Sequence, residues 1–257
     1  MLVTPTLKQR LRSGETTVGS WITLAHPAIA EIMAKAGFDW LVVDLEHSVI
    51  TIREAEELIR IIELCGVAPL VRLSANDPVQ IKRVMDAGAH GVVVPMVNTA
   101  EQASQAVSAV KYPPQGTRGV GLARAQGYGQ RFEEYKAWVE QDSVVIVQIE
   151  HIRAVDNLDQ ILAVPGVDGF IVGPYDLSGS LGVPGEFDHP SVLAALEKIR
   201  ITAESMRVMS GFHVVHPSHE DVKAKMRAGY RFIGYSLDTL LLGEMCRTGL
   251  RLIKGRS

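Results

Sequence analysis

Two stretches decide how this chain folds: Val144-Val145-Ile146-Val147-Gln148-Ile149-Glu150 and Gly169-Phe170-Ile171-Val172-Gly173-Pro174-Tyr175-Asp176. Each is a short apolar run with a polar ending, the pattern of a strand that delivers side chains to one end of a sheet. In a parallel α/β barrel the carboxyl ends of successive strands converge on one face, so Glu150 and Asp176 are expected to meet there. Two hard oxygen ligands without cysteine or clustered histidine suit an octahedral divalent ion such as Mg²⁺ or Mn²⁺, with positions left free for substrate. Taken alone, Glu150 is better read as a salt-bridge partner for Arg153 or a cap for the next helix; Asp176 on the following strand favours the metal.

Working outward, the same alternation of apolar run and helical periodicity fills the chain. Strands are expected at residues 18–24, 40–43, 68–71, 91–94, 144–149, 169–172, 208–215 and 231–235. Helices are expected at 28–36, 51–65, 77–87, 100–110, 132–140, 153–162, 190–205, 218–228 and from Thr239 onward. Gly37 and Gly88 sit where a helix C-terminus favours glycine. Thr51 with Glu54 forms a capping-box pattern, and Pro78 follows Asp77 at a first turn. Eight strand and helix units in 257 residues match one (β/α)8 TIM barrel, and no linker or composition break divides residues 1–257 into domains.

A doubly wound open sheet is the structural rival. Polar endings on several different strands, namely Asp44, Arg72, Glu150 and Asp176, favour a closed barrel that gathers them at one mouth. There is no Gly-x-Gly-x-x-Gly at the first strand to helix turn and no Walker-type Gly-Lys-Ser/Thr, so nucleotide binding is not expected.

Apolar residues make up 47% and charged residues 21% of the chain, with a formal charge of -3. That composition supports a sizeable core and gives no bulk attraction to nucleic acid or an anionic membrane. Cys65 and Cys246 lie far apart in helix-like segments, as reduced thiols of a cytoplasmic protein would. Neither a signal-peptide pattern at the amino terminus nor about 18 consecutive apolar residues appears.

The second strand ends in Asp44-Leu45-Glu46-His47. A carboxylate beside an imidazole fixes its tautomer and raises its basicity, giving an acid/base group near neutral pH. Glu46 shares the face of Asp44 by alternation and is the competing partner, and a loop-capping histidine is the alternative. Arg72 ends the third strand, where its guanidinium would bind a carboxylate or an enolate oxygen, or form an ion pair with Asp44 or Glu46. Trp21 would wall the pocket or fill the core, and His213 and His216 end the seventh strand at the rim. No lysine follows a strand where a Schiff base would need one.

The run from Ala36-Gly37-Phe38-Asp39-Trp40 to Asp44-Leu45-Glu46-His47, then Val71-Arg72, Lys111-Tyr112-Pro113-Pro114 through Arg118-Gly119-Val120-Gly121, Val147-Gln148-Ile149-Glu150 and Gly173-Pro174-Tyr175-Asp176-Leu177-Ser178, closely resembles the HpcH/HpaI aldolase family. Its members are class II, metal-dependent pyruvate aldolases. The resemblance implies cleavage of a 4-hydroxy-2-oxo acid to pyruvate and an aldehyde, with Glu150 and Asp176 holding Mg²⁺, Mn²⁺ or Co²⁺. It implies that His47, paired with Asp44, moves the proton and that Arg72 holds the keto oxygen. Trp21, Gln148, Gly173 and Tyr175 would surround the substrate. A last helix exchanged between protomers of a hexamer, a trimer of dimers, is likewise implied. Leu45 and Tyr175 replace smaller residues, which narrows the pocket. The segment 121–129 is where the aldehyde half should be recognised, with Arg118, Arg124 and Tyr128 as candidate contacts. A lyase acting on a CoA thioester and a catalytically silent barrel are the alternative readings.

Overall fold

The computed structural model describes residues 5–255, so residues 1–4 and 256–257 of the expected domain lie outside the described residues. Eight parallel strands, β1 (Thr17–Ile22), β2 (Trp40–Asp44), β3 (Ala68–Arg72), β4 (Gly91–Val94), β5 (Val144–Ile149), β6 (Gly169–Val172), β7 (Ser210–Val214) and β8 (Phe232–Leu237), pair in sequence order and close through β8 and β1. The chain therefore forms the expected closed TIM-type barrel.

Twelve α-helices wrap the described barrel. They are α1 (Leu7–Arg12), α2 (Pro27–Lys35), α3 (Ile52–Leu64), α4 (Pro78–Ala87), α5 (Ala100–Val110) and α6 (Phe132–Asp142), then α7 (Ile152–Asp156), α8 (Leu158–Leu162), α9 (Pro174–Ser180), α10 (Pro190–Met206), α11 (His219–Arg227) and α12 (Asp238–Lys254). The capping box of Thr51 and Glu54 is formed, Asp77 caps the helix that Pro78 opens, and Gly88 ends it in the left-handed conformation.

Two apolar clusters hold the architecture. One lies between strands and helices, and the other plugs the barrel: Trp21, Trp40, Val42, Leu70, Val93, Ile146, Ile171 and Phe232, closed at the amino end by Leu7 and Leu11 of α1. Trp40 stacks on Phe232 at 4.0 Å and meets Trp21 edge-on at 5.7 Å. The plug has room for these rings because Gly19 has no side chain; a Cβ there would stand 2.0 Å from the Trp40 ring.

Several boundaries differ from expectation for local reasons. β1 stops at Ile22 rather than residue 24 because the amides of Thr23 and Leu24 turn to the buried Asp238 carboxylate, 2.8 Å from each. The helix expected at 153–162 is two, broken at Asn157, whose amide group donates to the Asn98 carbonyl at 2.9 Å. α1 was not expected at all, although Thr6 and Gln9 form a capping box that the sequence displays. α9, which Pro174 opens, was not expected either.

Candidate active site

The carboxyl ends of the strands surround a cavity of about 350 Å³ lined by Trp21, Asp44, His47, Arg72, Gln148, Gly173, Tyr175, Asp176 and His213, among others. The parallel register of β2 and β3 sets Asp44 directly beside Arg72. Arg72 donates from Nε to Asp44 Oδ1 at 2.9 Å and from Nη2 to Oδ2 at 2.6 Å, and its Nη1 stands 3.2 Å from Glu46 Oε2. Burial disfavours the Asp44 carboxylate, but this fork and the Glu46 and His47 amides more than compensate and hold its pKa below the usual range.

Glu46 is left less satisfied. Burial pushes its carboxyl up to about 7 against the pull of Arg72, and Glu150, Asp44 and Asp176 add to the rise. Its Oε2 is buried without an aligned hydrogen bond. Glu150, 2% exposed, accepts from the Met96 amide at 2.6 Å and from the Gln148 side chain. Its pKa is raised too, first by burial and also by Asp176. Met96, just beyond β4, has φ 53 in the left-handed region. Gly173 leaves the space that Glu150 occupies: a Cβ there would lie 3.0 Å from Oε2.

Four carboxylates thus press on one another with a single guanidinium among them. Glu150 and Asp176 fit a divalent ion by charge and donor type, since a cation offsets both the burial and the neighbouring negative charge that raise Glu150 and Glu46. No cluster of three or more His, Cys, Asp or Glu side chains suited to a metal occurs among the described residues.

The HpcH/HpaI aldolase/citrate lyase profile matches residues 17–244. The chain belongs to that family. A 2-keto-3-deoxy-L-rhamnonate aldolase of Escherichia coli O17:K52:H18 is 39% identical over 256 residues, 98% of this chain and 94% of that protein. An HpcH/HpaI aldolase/citrate lyase family protein from Burkholderia cenocepacia J2315 superposes with a TM-score of 0.92 at 35% identity, covering 96% of this chain and 98% of the other. An HpcH/HpaI aldolase from Desulfitobacterium hafniense DCB-2 gives 0.89 at 34%, covering 97% and 96%. This protein is a class II aldolase, of the divalent-metal-dependent kind.

In this aldolase Trp21, Asp44, His47, Arg72, Gln148, Gly173, Tyr175 and Asp176 line the one cavity, and Glu150 stands against Gly173. Several contacts differ from expectation. Asp44 does not pair with the His47 imidazole: its carboxylate meets only the His47 backbone N–H, at 3.4 Å, because the Arg72 fork occupies it. The imidazole is 62% exposed, with Nε2 3.8 Å from Glu46 Oε2. Two of the candidate contacts for the aldehyde half, Arg118 and Arg124, are engaged elsewhere within the protomer. The segment that holds them joins α5 to α6, ahead of β5. Arg118 is buried against Asp86 and Tyr135, and Arg124 pairs with Glu63. Sequence reasoning placed His213 only at the rim, whereas it stacks on Trp21 at 4.1 Å within the cavity; its alternation with outward Phe212 and Val214 was the available signal. The role of Met96 depends on a backbone conformation that no residue pattern announces.

Proposed function

We propose that this aldolase reversibly cleaves the C3–C4 bond of a 4-hydroxy-2-oxo acid to pyruvate and an aldehyde, with Glu150 and Asp176 as ligands of Mg²⁺, Mn²⁺ or Co²⁺. The observation that carries the reading is the gathering of Glu46, Glu150, Asp44 and Asp176 at one mouth, where burial first and neighbouring carboxylates second raise Glu46 and Glu150 and Arg72 is the one cation lining the cavity among the described residues. When bound, the ion supplies positive charge where negative charge develops on the 2-oxo group, typically several kcal/mol of stabilisation.

The side chains do the rest. Arg72, its fork held rigid by Asp44, presents a fixed second positive charge to the same oxygen. Gln148 and Gly173 keep Glu150 in place, and the backbone N–H groups of Tyr175 and Asp176 receive the carboxylate of the 2-oxo acid, a task that Pro174, lacking an N–H, does not share. His47, accessible at the mouth, takes the proton from the C4 hydroxyl as the C3–C4 electrons pass to the pyruvate half, and returns one during condensation. Trp21 closes the wall against Arg72, its ring 5.8 Å from the guanidinium carbon.

We further infer one catalytic domain over residues 1–257, working in the cytoplasm without nucleic acid or membrane. No helix among the described residues is long and apolar enough to cross a membrane. The protein assembles as a hexamer, a trimer of dimers, with α12 exchanged between protomers. Its Met245, Leu252 and Ile253 lie outward without cover, which a second copy would supply.

The test is solvent deuterium exchange into the methyl group of pyruvate, followed by NMR, with each metal and with chelator. Metal-dependent exchange that is lost in Glu150→Ala and Asp176→Ala supports the reading. Exchange that survives thorough metal removal overturns it.

A further inference from the structure

We propose that His213 is a specificity residue for the aldehyde half of the substrate, its Nδ1 accepting a hydrogen bond from a hydroxyl, so that the enzyme selects uncharged hydroxyaldehydes. The inference rests on the pyruvate half lying at Glu150, Asp176 and Arg72, and it names what occupies the remainder of the same cavity.

The tautomer follows from the neighbours. His213 Nε2 lies 3.1 Å from the carbonyl oxygen of Ser236, which only accepts, so Nε2 carries the proton and Nδ1 carries the lone pair. Ser236 has φ 55, beside the point where the register of β8 against β1 shifts. The adjacent ring edge is closed as well: a Cβ on Gly234 would stand 3.1 Å from His213 Cδ2 and 2.4 Å from Trp21 Cζ3. With Nε2 and Cδ2 covered by β8 and one ring face on Trp21, the edge left to the cavity is the one bearing Nδ1. That atom has no partner among the described residues, and it is not among the occluded polar atoms.

The surroundings define the ligand. Burial pushes the imidazole down to about 4, so near neutral pH it accepts a hydrogen bond without taking the proton. The same wall is formed by Trp21, Thr23, Tyr175, Val215 and Leu237. Arg72 is the only Lys or Arg among the described residues lining the cavity, and Asp44 and Glu46 engage it. An aldehyde bearing a carboxylate would find no cation there, whereas a hydroxyl finds an acceptor.

The test compares kcat/KM for addition of pyruvate to glycolaldehyde, acetaldehyde and methoxyacetaldehyde by the metal-loaded enzyme. The methyl ether keeps the inductive effect of the oxygen but has no proton to donate. Glycolaldehyde is expected to exceed both others by roughly 10-fold or more. In His213→Leu the ratio of kcat/KM for glycolaldehyde to that for acetaldehyde should fall by roughly that factor. Equal use of glycolaldehyde and its methyl ether by the wild type overturns the proposal even if the variant does not fold, as does a preference that survives in His213→Leu. Absence of pyruvate exchange in the wild type overturns the underlying aldolase reading, and this one with it; exchange without the hydroxyl preference overturns this one alone.

Discussion

Arg72 grips Asp44 through two parallel hydrogen bonds, of 2.9 and 2.6 Å, at the buried junction of β2 and β3. This contact both stiffens the mouth and fixes the guanidinium. Removing one partner strands the other charge away from water, which typically costs about 3–5 kcal/mol. Asp44→Asn should therefore lower Tm by roughly 6–15 °C in calorimetry, given the usual conversion for a chain of this size. Arg72→Lys, a point charge without the fork, should lower kcat/KM by on the order of 100-fold while changing Tm less than Asp44→Asn does.

Gly173 has φ -95, so alanine there meets no backbone strain, and any effect is steric. The new methyl would lie 3.0 Å from Glu150 Oε2 and 3.1 Å from its Cβ. Gly173→Ala should weaken Mn²⁺ binding by about 10-fold in a titration, roughly the 1.4 kcal/mol expected of a displaced ligand, with little loss of Tm.

Glu63 and Arg124 tie α3 to the segment that follows α5, and His90 Nε2 stands 3.8 Å away, too far for a hydrogen bond. Burial raises the Glu63 carboxyl, but its contacts with His90 and Arg124 more than reverse it and bring it down to about 2. The sign is that of a depressed acid: the stabilisation is complete above the ordinary value of 4.5 and is lost as pH falls from there toward 2. Glu63→Gln should cost on the order of 1–2 kcal/mol at pH 7, discounted for the partial exposure of the pair. In urea melts the gap from wild type should stay level down to about pH 4.5 and narrow below it.

The exposed apolar residues of α12 predict a test of assembly. Leu252→Glu or Met245→Glu should lower the mass measured by analytical ultracentrifugation, and a hexamer that tolerates both charges would remove α12 from the interface.

Much of this protein was legible before any coordinates. Apolar runs with polar endings announced the strands and their order, and the glycine and capping signals placed most helix ends. A parallel barrel carries strand-end residues to one mouth by topology alone, so Asp44, Arg72, Gln148, Glu150 and Asp176 were identifiable as a group. Asp44 and His47 show where that reasoning stops. Proximity in sequence suggested a carboxylate and imidazole pair, but Arg72, 28 residues from Asp44, reaches the carboxylate first.

The residues 118–128 teach the same lesson from the other direction. Their arginines looked available for a ligand, yet helix surfaces distant in sequence supply Asp86 and Glu63 and claim them.

The sequence by itself determined the barrel, its helices and the set of strand-end residues, because hydrophobic period and turn chemistry are local properties of the chain. Only the tertiary structure decided which charges pair, which way the Met96 amide and Ser236 carbonyl point, and which edge of His213 faces the cavity. Those outcomes depend on register between neighbouring strands and on the space left by Gly19, Gly173 and Gly234, and these exist only once the barrel has closed.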